Sequence, residues 1–244
     1  MNAFLAVYLR ELLILKRRFK RQLASMTVSP LLYLLTFGYA LGRHLEMGGH
    51  SYLEFLVPGL IAMNSMTQGF SIAQDINVAR FYFFVFEEIQ AAPASRLSYV
   101  LGEICAGLTR VVLSALVVMG LGWLFGVRPH YGPFFWLAVL LNGFTFSALA
   151  VALALLVRSH ADQSLLTNFV ITPMAFLGGT FFPVENLPDW ARTLLDVLPL
   201  THAARAIRAD ALGYAPEWLP FAVLTASSAA CLMLAVWTVE KAKD

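Results

Sequence analysis

Charge is scarce in this chain. Of its 244 residues, 13% are Asp, Glu, Lys or Arg and 59% are hydrophobic, against roughly a quarter charged and half apolar in soluble domains. A water-soluble globule is excluded. Neither sign dominates, because 17 Lys and Arg face 15 Asp and Glu, and a net charge of +2 is too small for a general nucleic-acid binder. Cysteine is nearly missing as well. Cys105 and Cys231 have no metal-ligand spacing and fall in apolar segments, where they are expected to be small inert hydrophobes. Three catalytic or nucleotide signatures are absent from the sequence: the G-x-x-x-x-G-K-[ST] loop that cradles phosphates, the H-E-x-x-H zinc pair and the G-x-S-x-G elbow. Titratable groups at membrane depth, which ion-coupled carriers need, are few. Glu54 and Asp75 stand near the ends of apolar runs, Glu103 and Arg110 in the cytoplasmic part of one, and the five histidines outside the runs or at an edge. A secondary carrier is therefore the weaker alternative from another class, and no covalent chemistry is expected of the chain itself.

What is present is a set of six long uncharged runs, at 22–42, 55–74, 111–127, 129–157, 163–184 and 218–239. Each is about as long as a helix crossing a hydrocarbon core of roughly 30 Å must be. They are apolar throughout rather than alternating, so helices are preferred to barrel strands. The reading is an all-α integral membrane protein with six transmembrane helices, bounded at 22–42, 53–76, 100–127, 132–157, 163–181 and 217–239. Six cations, Arg10, Lys16, Arg17, Arg18, Lys20 and Arg21, precede the first run, and the positive-inside rule puts that end in the cytoplasm. Six spans return the C-terminus to the same side. Eleven cations then lie inside and five outside. Cleavage of the first run as a signal peptide is not expected, because it exceeds an h-region and five more runs follow.

Residues 1–21 read as an amphipathic interface helix, with Tyr8, Leu12, Leu15 and Phe19 on one face and Arg10, Lys16, Arg17 and Lys20 elsewhere. A basic anchor on anionic lipid is the alternative. Between the second and third spans, 83–98 is a cytoplasmic segment too aromatic for a solvated loop. Glu87 and Glu88 precede Pro93, which ends any short helix near Ala92. Such a helix suits a cleft on a partner protein, or else packs on lipid. Asn64, Gln68, Ser71 and Asp75 share one face of the second span, and Ser164, Asn168 and Thr172 repeat the pattern in the fifth. Polar stripes of this kind either bond neighbouring helices or line a pathway. Glu103 and Arg110 share a face of the third span, but roughly 10 Å of rise separates them, so partners on other helices or lipid headgroups are expected.

Three ordered segments then carry a resemblance. Phe55-Leu56-Val57-Pro58-Gly59-Leu60-Ile61, the stretch from Glu87 to Arg96 with Leu101-Gly102-Glu103, and Phe176-Leu177-Gly178-Gly179-Thr180-Phe181-Phe182-Pro183 continuing to Leu198-Pro199-Leu200-Thr201-His202 resemble, nearly end to end, the permeases of type-two ABC exporters. That resemblance implies a bacterial inner-membrane homodimer of six-span subunits working with two copies of a separate ABC ATPase, which would hold the ATP and Mg. It implies no cofactor on this chain and no nucleic-acid partner. It makes 83–98 a cytoplasmic coupling helix, with Phe86, Glu87, Glu88, Ile89 and Arg96 facing the ATPase. It places the substrate path along Asn64, Gln68, Ser71, Ser164, Asn168 and Thr172. It also folds 182–213 into an outer re-entrant helical hairpin, near whose return Arg205 and Arg208 would form an outer gate. The expected function is ATP-driven export of a hydrophobic or amphiphilic, drug-like or lipid-like substrate; export of a lipid-linked saccharide is the alternative.

Overall fold

The computed structural model describes residues 3–38, 46–47, 49–83 and 95–241 of the chain. Phe86, Glu87, Glu88 and Ile89 lie outside these described residues. In chain order the helices are α1 (Ala3–Arg17), α2 (Phe19–Tyr33), α3 (Tyr52–Phe70), α4 (Ile72–Phe81), α5 (Arg96–Leu124), α6 (Pro133–Leu156), α7 (His160–Leu166), α8 (Thr172–Leu177), α9 (Asp189–Leu195), α10 (Pro199–Ala211) and α11 (Trp218–Lys241). A short ribbon pairs β1 (Glu46–Met47) with β2 (His50–Ser51). Among the described residues three helices, α5, α6 and α11, are long and apolar enough to cross a membrane.

The other three apolar runs fold as helices with an interruption, and each interruption has a local cause. Pro30 sits inside α2 and offers no N–H to the carbonyl one turn back; a π-turn follows at Leu34–Gly38. That unclaimed carbonyl, Met26 O, accepts instead from Asn64 Nδ2 of α3 at 3.3 Å. Ser71 separates α3 from α4, its hydroxyl turned back onto Gln68 O at 2.7 Å. In the fifth run α7 passes through a π-turn, Thr167–Ile171, into α8, which carries Pro173 in its first turn. Single π-turns insert about one extra residue and rotate everything beyond them.

The buried centre is α3 against α6. Leu56, Leu60, Ile61 and Met66 of α3 and Phe135, Val139, Phe146 and Val151 of α6 are almost fully enclosed. Small residues bring the backbones close, as in membrane helix packing generally: a Cβ on Gly69 would stand 3.0 Å from Gly143 O, and one on Gly59 only 2.5 Å from Thr180 O. Helix α6 is held at both ends by charges matched to its dipole. Asp210 accepts from Gly132 N at 2.8 Å at the N-terminus. Arg80 Nη1 reaches the carbonyls of Ala154, Leu155 and Val157 at the C-terminus, each at 3.1 Å. At the start of α3 a capping box joins Ser51 and Glu54; such caps contribute about 1 kcal/mol.

Helix α1 packs on α5. Its buried stripe is Val7, Glu11 and Leu15, with Tyr8 Oη bonded to Thr109 Oγ1 at 3.0 Å. Leu12 and Phe19 face outward, so the covered face is turned by about one residue from the apolar face visible in the sequence, toward the third span and a carboxylate. The segment 182–213 forms a short 3-10 turn, Val184–Asn186, then α9 and α10. Helix α10 buries Leu200, Ala203, Ala204 and Ile207 against the body, while α9 exposes Trp190 and Leu194.

Candidate functional site

At one end of the helices lies a network of charges contributed by α1, α4, α5 and Arg18, the residue between α1 and α2. Arg10 Nη2 meets Glu11 Oε1 at 2.7 Å and Glu103 Oε1 at 3.1 Å. Arg110 meets Asp75 Oδ2 at 2.6 Å and Glu11 Oε2 at 3.6 Å, and Arg18 reaches Asp75 more loosely at 3.9 Å. Glu11, Glu103 and Arg110 are almost wholly buried, at 2%, 0% and 4% exposure. Glu103 and Arg110 pair with side chains on α1 and α4 rather than with each other. Burial alone would weaken the hold of Arg10 on its proton, but Glu103 and Glu11 more than offset this and raise its pKa. The network therefore ties α1 to α4 and α5 through charges that cannot be separated cheaply.

Directly above this network a groove opens between α2, α3 and the fifth run. Its inner chamber, about 300 Å³, is walled by hydroxyls and amides of Ser25, Ser29, Asn64, Thr67, Gln68 and Thr172, and by Tyr33, Met63, Ile171 and Phe176. A second chamber of about 270 Å³ shares Ser25, Gln68, Ser71 and Gln74 with the first and continues to Arg18, Arg21, Gln22, Asp75 and Arg110. Gln22 Nε2 donates to Gln68 Oε1 at 3.0 Å where the two meet. The groove is thus a continuous polar-lined slot with a basic mouth.

Of the stripe residues read from the sequence, Asn64, Gln68, Ser71 and Thr172 line this slot. Ser164 and Asn168 do not: both are exposed, and Ser164 Oγ turns onto His160 O at 3.2 Å. The π-turn at Thr167–Ile171 breaks the straight i, i+4, i+8 count, and the fifth run presents Thr167, Ile171 and Thr172 to the groove instead. Arg96 forms an ion pair with Glu240 of α11 at 2.6 Å. Arg205 pairs with Asp196 at 2.7 Å. Arg208 donates to Phe55 O at 3.3 Å and Gly179 O at 2.9 Å, and its guanidinium lies 3.7 Å from the Phe55 ring centroid, a cation–π contact. It fastens the opening turn of α3 to the turn after α8. Sequence reading missed Arg10, Glu11 and Arg80 as partners; the signal available was that Glu11 stands within an otherwise apolar helical stripe.

The end of α4 is also fastened to its neighbours. Besides Arg80 on the α6 carbonyls, Asn77 Nδ2 donates to Gln163 Oε1 of α7 at 3.0 Å, fully buried. A displacement of the segment that follows α4 would therefore pull on both α6 and the fifth run, whose π-turn is one wall of the groove.

Comparison with known proteins decides what kind of molecule carries this arrangement. The family model described as ABC-2 type transporter matches residues 2–211. The chain belongs to that family. It is 27% identical over 214 residues to the inner membrane transport permease YadH of Escherichia coli (strain K12), covering 86% of this chain and 83% of YadH. It is 27% identical over 232 residues to the daunorubicin resistance ABC transporter permease protein DrrB1 of Streptomyces coeruleorubidus, covering 91% and 80%. To nodulation protein J of Rhizobium leguminosarum bv. trifolii it is 30% identical over 220 residues, covering 86% and 82%. The protein is a membrane-embedded permease subunit of an ABC-2 transporter, and membership implies association with an ABC ATPase subunit.

Proposed function

We propose that this permease spans the bacterial inner membrane six times with both termini in the cytoplasm, forms a homodimer, and exports a hydrophobic or amphiphilic substrate when two copies of a separate ABC ATPase bind ATP. The observation that carries this reading is the groove itself. A slot that sets the hydroxyls and amides of Ser25, Ser29, Asn64 and Gln68 beside Tyr33, Met63, Ile171 and Phe176 suits a cargo with both polar and apolar parts better than a wholly polar one. The name of the daunorubicin permease favours a drug-like cargo over a fully polar one.

In this reading ATP and Mg belong to the ATPase, and the permease residues bind, orient and move. Residues 83–98 dock on the ATPase as the coupling segment. When the ATPase dimer closes, the shift enters α4 and passes through Arg80 to α6 and through Asn77 and Gln163 to α7, changing the width of the groove at Thr167 and Ile171. The segment 182–213 closes the outer end, with α10 held to the body and Arg208 locking α3 to the turn beyond α8. Two interrupted helices, α3–α4 and α7–α8, border the moving slot, and their breaks give each a place to bend.

Cysteine accessibility tests this reading. In a background with Cys105 and Cys231 replaced by alanine, Gln68→Cys and Thr172→Cys are expected to react with a small water-soluble thiol reagent, and their rates to change severalfold when the bound ATPase is trapped with ATP. Asn168→Cys, outside the groove, serves as the comparison. Equal rates at Gln68 in every nucleotide state would contradict the reading.

A further inference from the structure

Both flanks of the segment between α4 and α5 carry an arginine fastened to the end of another helix. We propose that Glu240, in the last turn of α11, is a positioning residue for coupling: through Arg96 it keeps the exit of that segment on α11, so that α11 moves with α6 when the ATPase displaces the segment. This rests on the docking of residues 83–98 proposed above, and it adds α11 to the path.

The two charges are placed against their own helices. Arg96 is the first residue of α5, at the positive end of that helix dipole, and Glu240 lies in the last turn of α11, at the negative end, so each charge opposes its own helix. Side by side the signs reverse. Arg96 Nη1 meets Glu240 Oε1 at 2.6 Å, which sets the cation beside the carbonyl end of α11 and the carboxylate beside the amide end of α5. Each charge is matched only while the two helix ends stay together.

Exposed ion pairs between flexible side chains usually contribute little, and this one is about half exposed. The backbone on each side is what distinguishes it. Thr238 and Val239 just before Glu240, and Tyr99 and Val100 one turn after Arg96, are almost fully buried, so both charges project from turns already seated in the core. The adjacent Lys241 lies over the Trp237 ring at 5.3 Å, and Arg96 is the one ion partner of Glu240 among the described residues.

On the entry side, Arg80 holds α4 on three carbonyls at the end of α6. Helices α6 and α11 are joined in turn by the buried hydroxyls of Thr145 and Ser228, 2.8 Å apart, and Ser228 Oγ also donates to Leu141 O of α6 at 3.3 Å. Both flanks of the segment therefore end on one joined pair of helices. A shift of the segment carries α6 and α11 together instead of parting α5 from α11.

The test uses the full chain reconstituted with its ABC ATPase, with ATPase stimulation, export and Tm measured for each variant. Glu240→Arg and Arg96→Glu are each expected to lower stimulation and export roughly threefold or more, the scale of one surface ion pair. Glu240→Gln, which removes the charge without repelling Arg96, is expected to show a smaller loss in the same direction. The swapped pair Arg96→Glu, Glu240→Arg restores the contact with signs exchanged and is expected to recover most of both activities. Every Tm should stay within a few degrees of the parent, because either reversal suits the dipole of its own helix. Normal stimulation and export by Glu240→Arg would overturn the proposal, as would losses that merely follow a fall in Tm. A swapped pair no better than Arg96→Glu alone would also overturn it, and would mean that Arg96 meets the ATPase itself. The Glu87→Lys, Glu88→Lys variant measured alongside keeps the two readings apart: if it is fully active the docking of 83–98 fails, whereas if it is inactive while Glu240→Arg is normal, only the role of Glu240 fails.

Discussion

Replacing Arg110 with glutamine is expected to destabilise the permease by about 3–5 kcal/mol, the usual cost of removing one partner from a buried ion pair. The size follows from what is left behind. Asp75 loses its 2.6 Å partner and keeps only Arg18 at 3.9 Å, while Glu11, at 2% exposure, must share Arg10 with Glu103. In detergent this should appear as a fall in Tm on the order of 10 °C. The double variant Arg110→Gln, Asp75→Asn is expected to recover at least half of the loss, because removing both charges leaves neither stranded. An unchanged Tm for the single variant, or a double variant as unstable as the sum of the two singles, would show that the network contributes little to holding α1 and α4 against α5.

The second large effect concerns coupling. Reversing both Glu87 and Glu88 to lysine is expected to abolish stimulation of the partner ATPase and to cut export roughly 30-fold or more, since disrupting charges in a docked interface costs at least about 2 kcal/mol. The acidic pair stands in the segment that joins α4 to Ser95, the N-cap of α5, and precedes Pro93. Helix α4 is itself clamped by Arg80 to three α6 carbonyls, so a displacement of α4 is carried into α6. The Tm of the variant should remain within a few degrees of the parent, which separates lost coupling from lost folding. Full stimulation and full export by the variant would remove these two residues from the coupling role.

Much of this architecture is legible in the residues. Six uncharged runs mark the apolar segments, and α5, α6 and α11 emerge as uninterrupted helices, with Pro133 and Pro220 confined to first turns, where a proline breaks no intrahelical hydrogen bond. The interruptions were harder to place. Pro30, Ser71 and Pro173 flag possible bends, but Pro58 lies inside a continuous α3, so a proline alone does not say where a helix opens. The polar stripe of α3 keeps its register and lines the groove at Asn64, Gln68 and Ser71. The stripe counted through the fifth run assumes 3.6 residues per turn, and the π-turn at Thr167–Ile171 alters that count. Partners were the least visible part. Nothing local to Glu103 or Arg110 names Arg10, Glu11 or Asp75, because those pairings depend on how α1 folds back onto α5, nearly a hundred residues away in sequence. Arg208 reads as a surface cation by composition; it is held on Phe55 and Gly179 by backbone carbonyls that a sequence does not display.

The most direct measurement is reconstitution of the purified permease with its ABC ATPase in sealed vesicles, following movement of a fluorescent amphiphile across the membrane with ATP on the cytoplasmic side of the complex. ATP-dependent movement away from that side is expected, lost when ATP is replaced by a non-hydrolysable analogue, when the permease is omitted, or when Glu87 and Glu88 are both lysine. Movement that proceeds equally without ATP and is driven instead by an imposed proton or sodium gradient would contradict it.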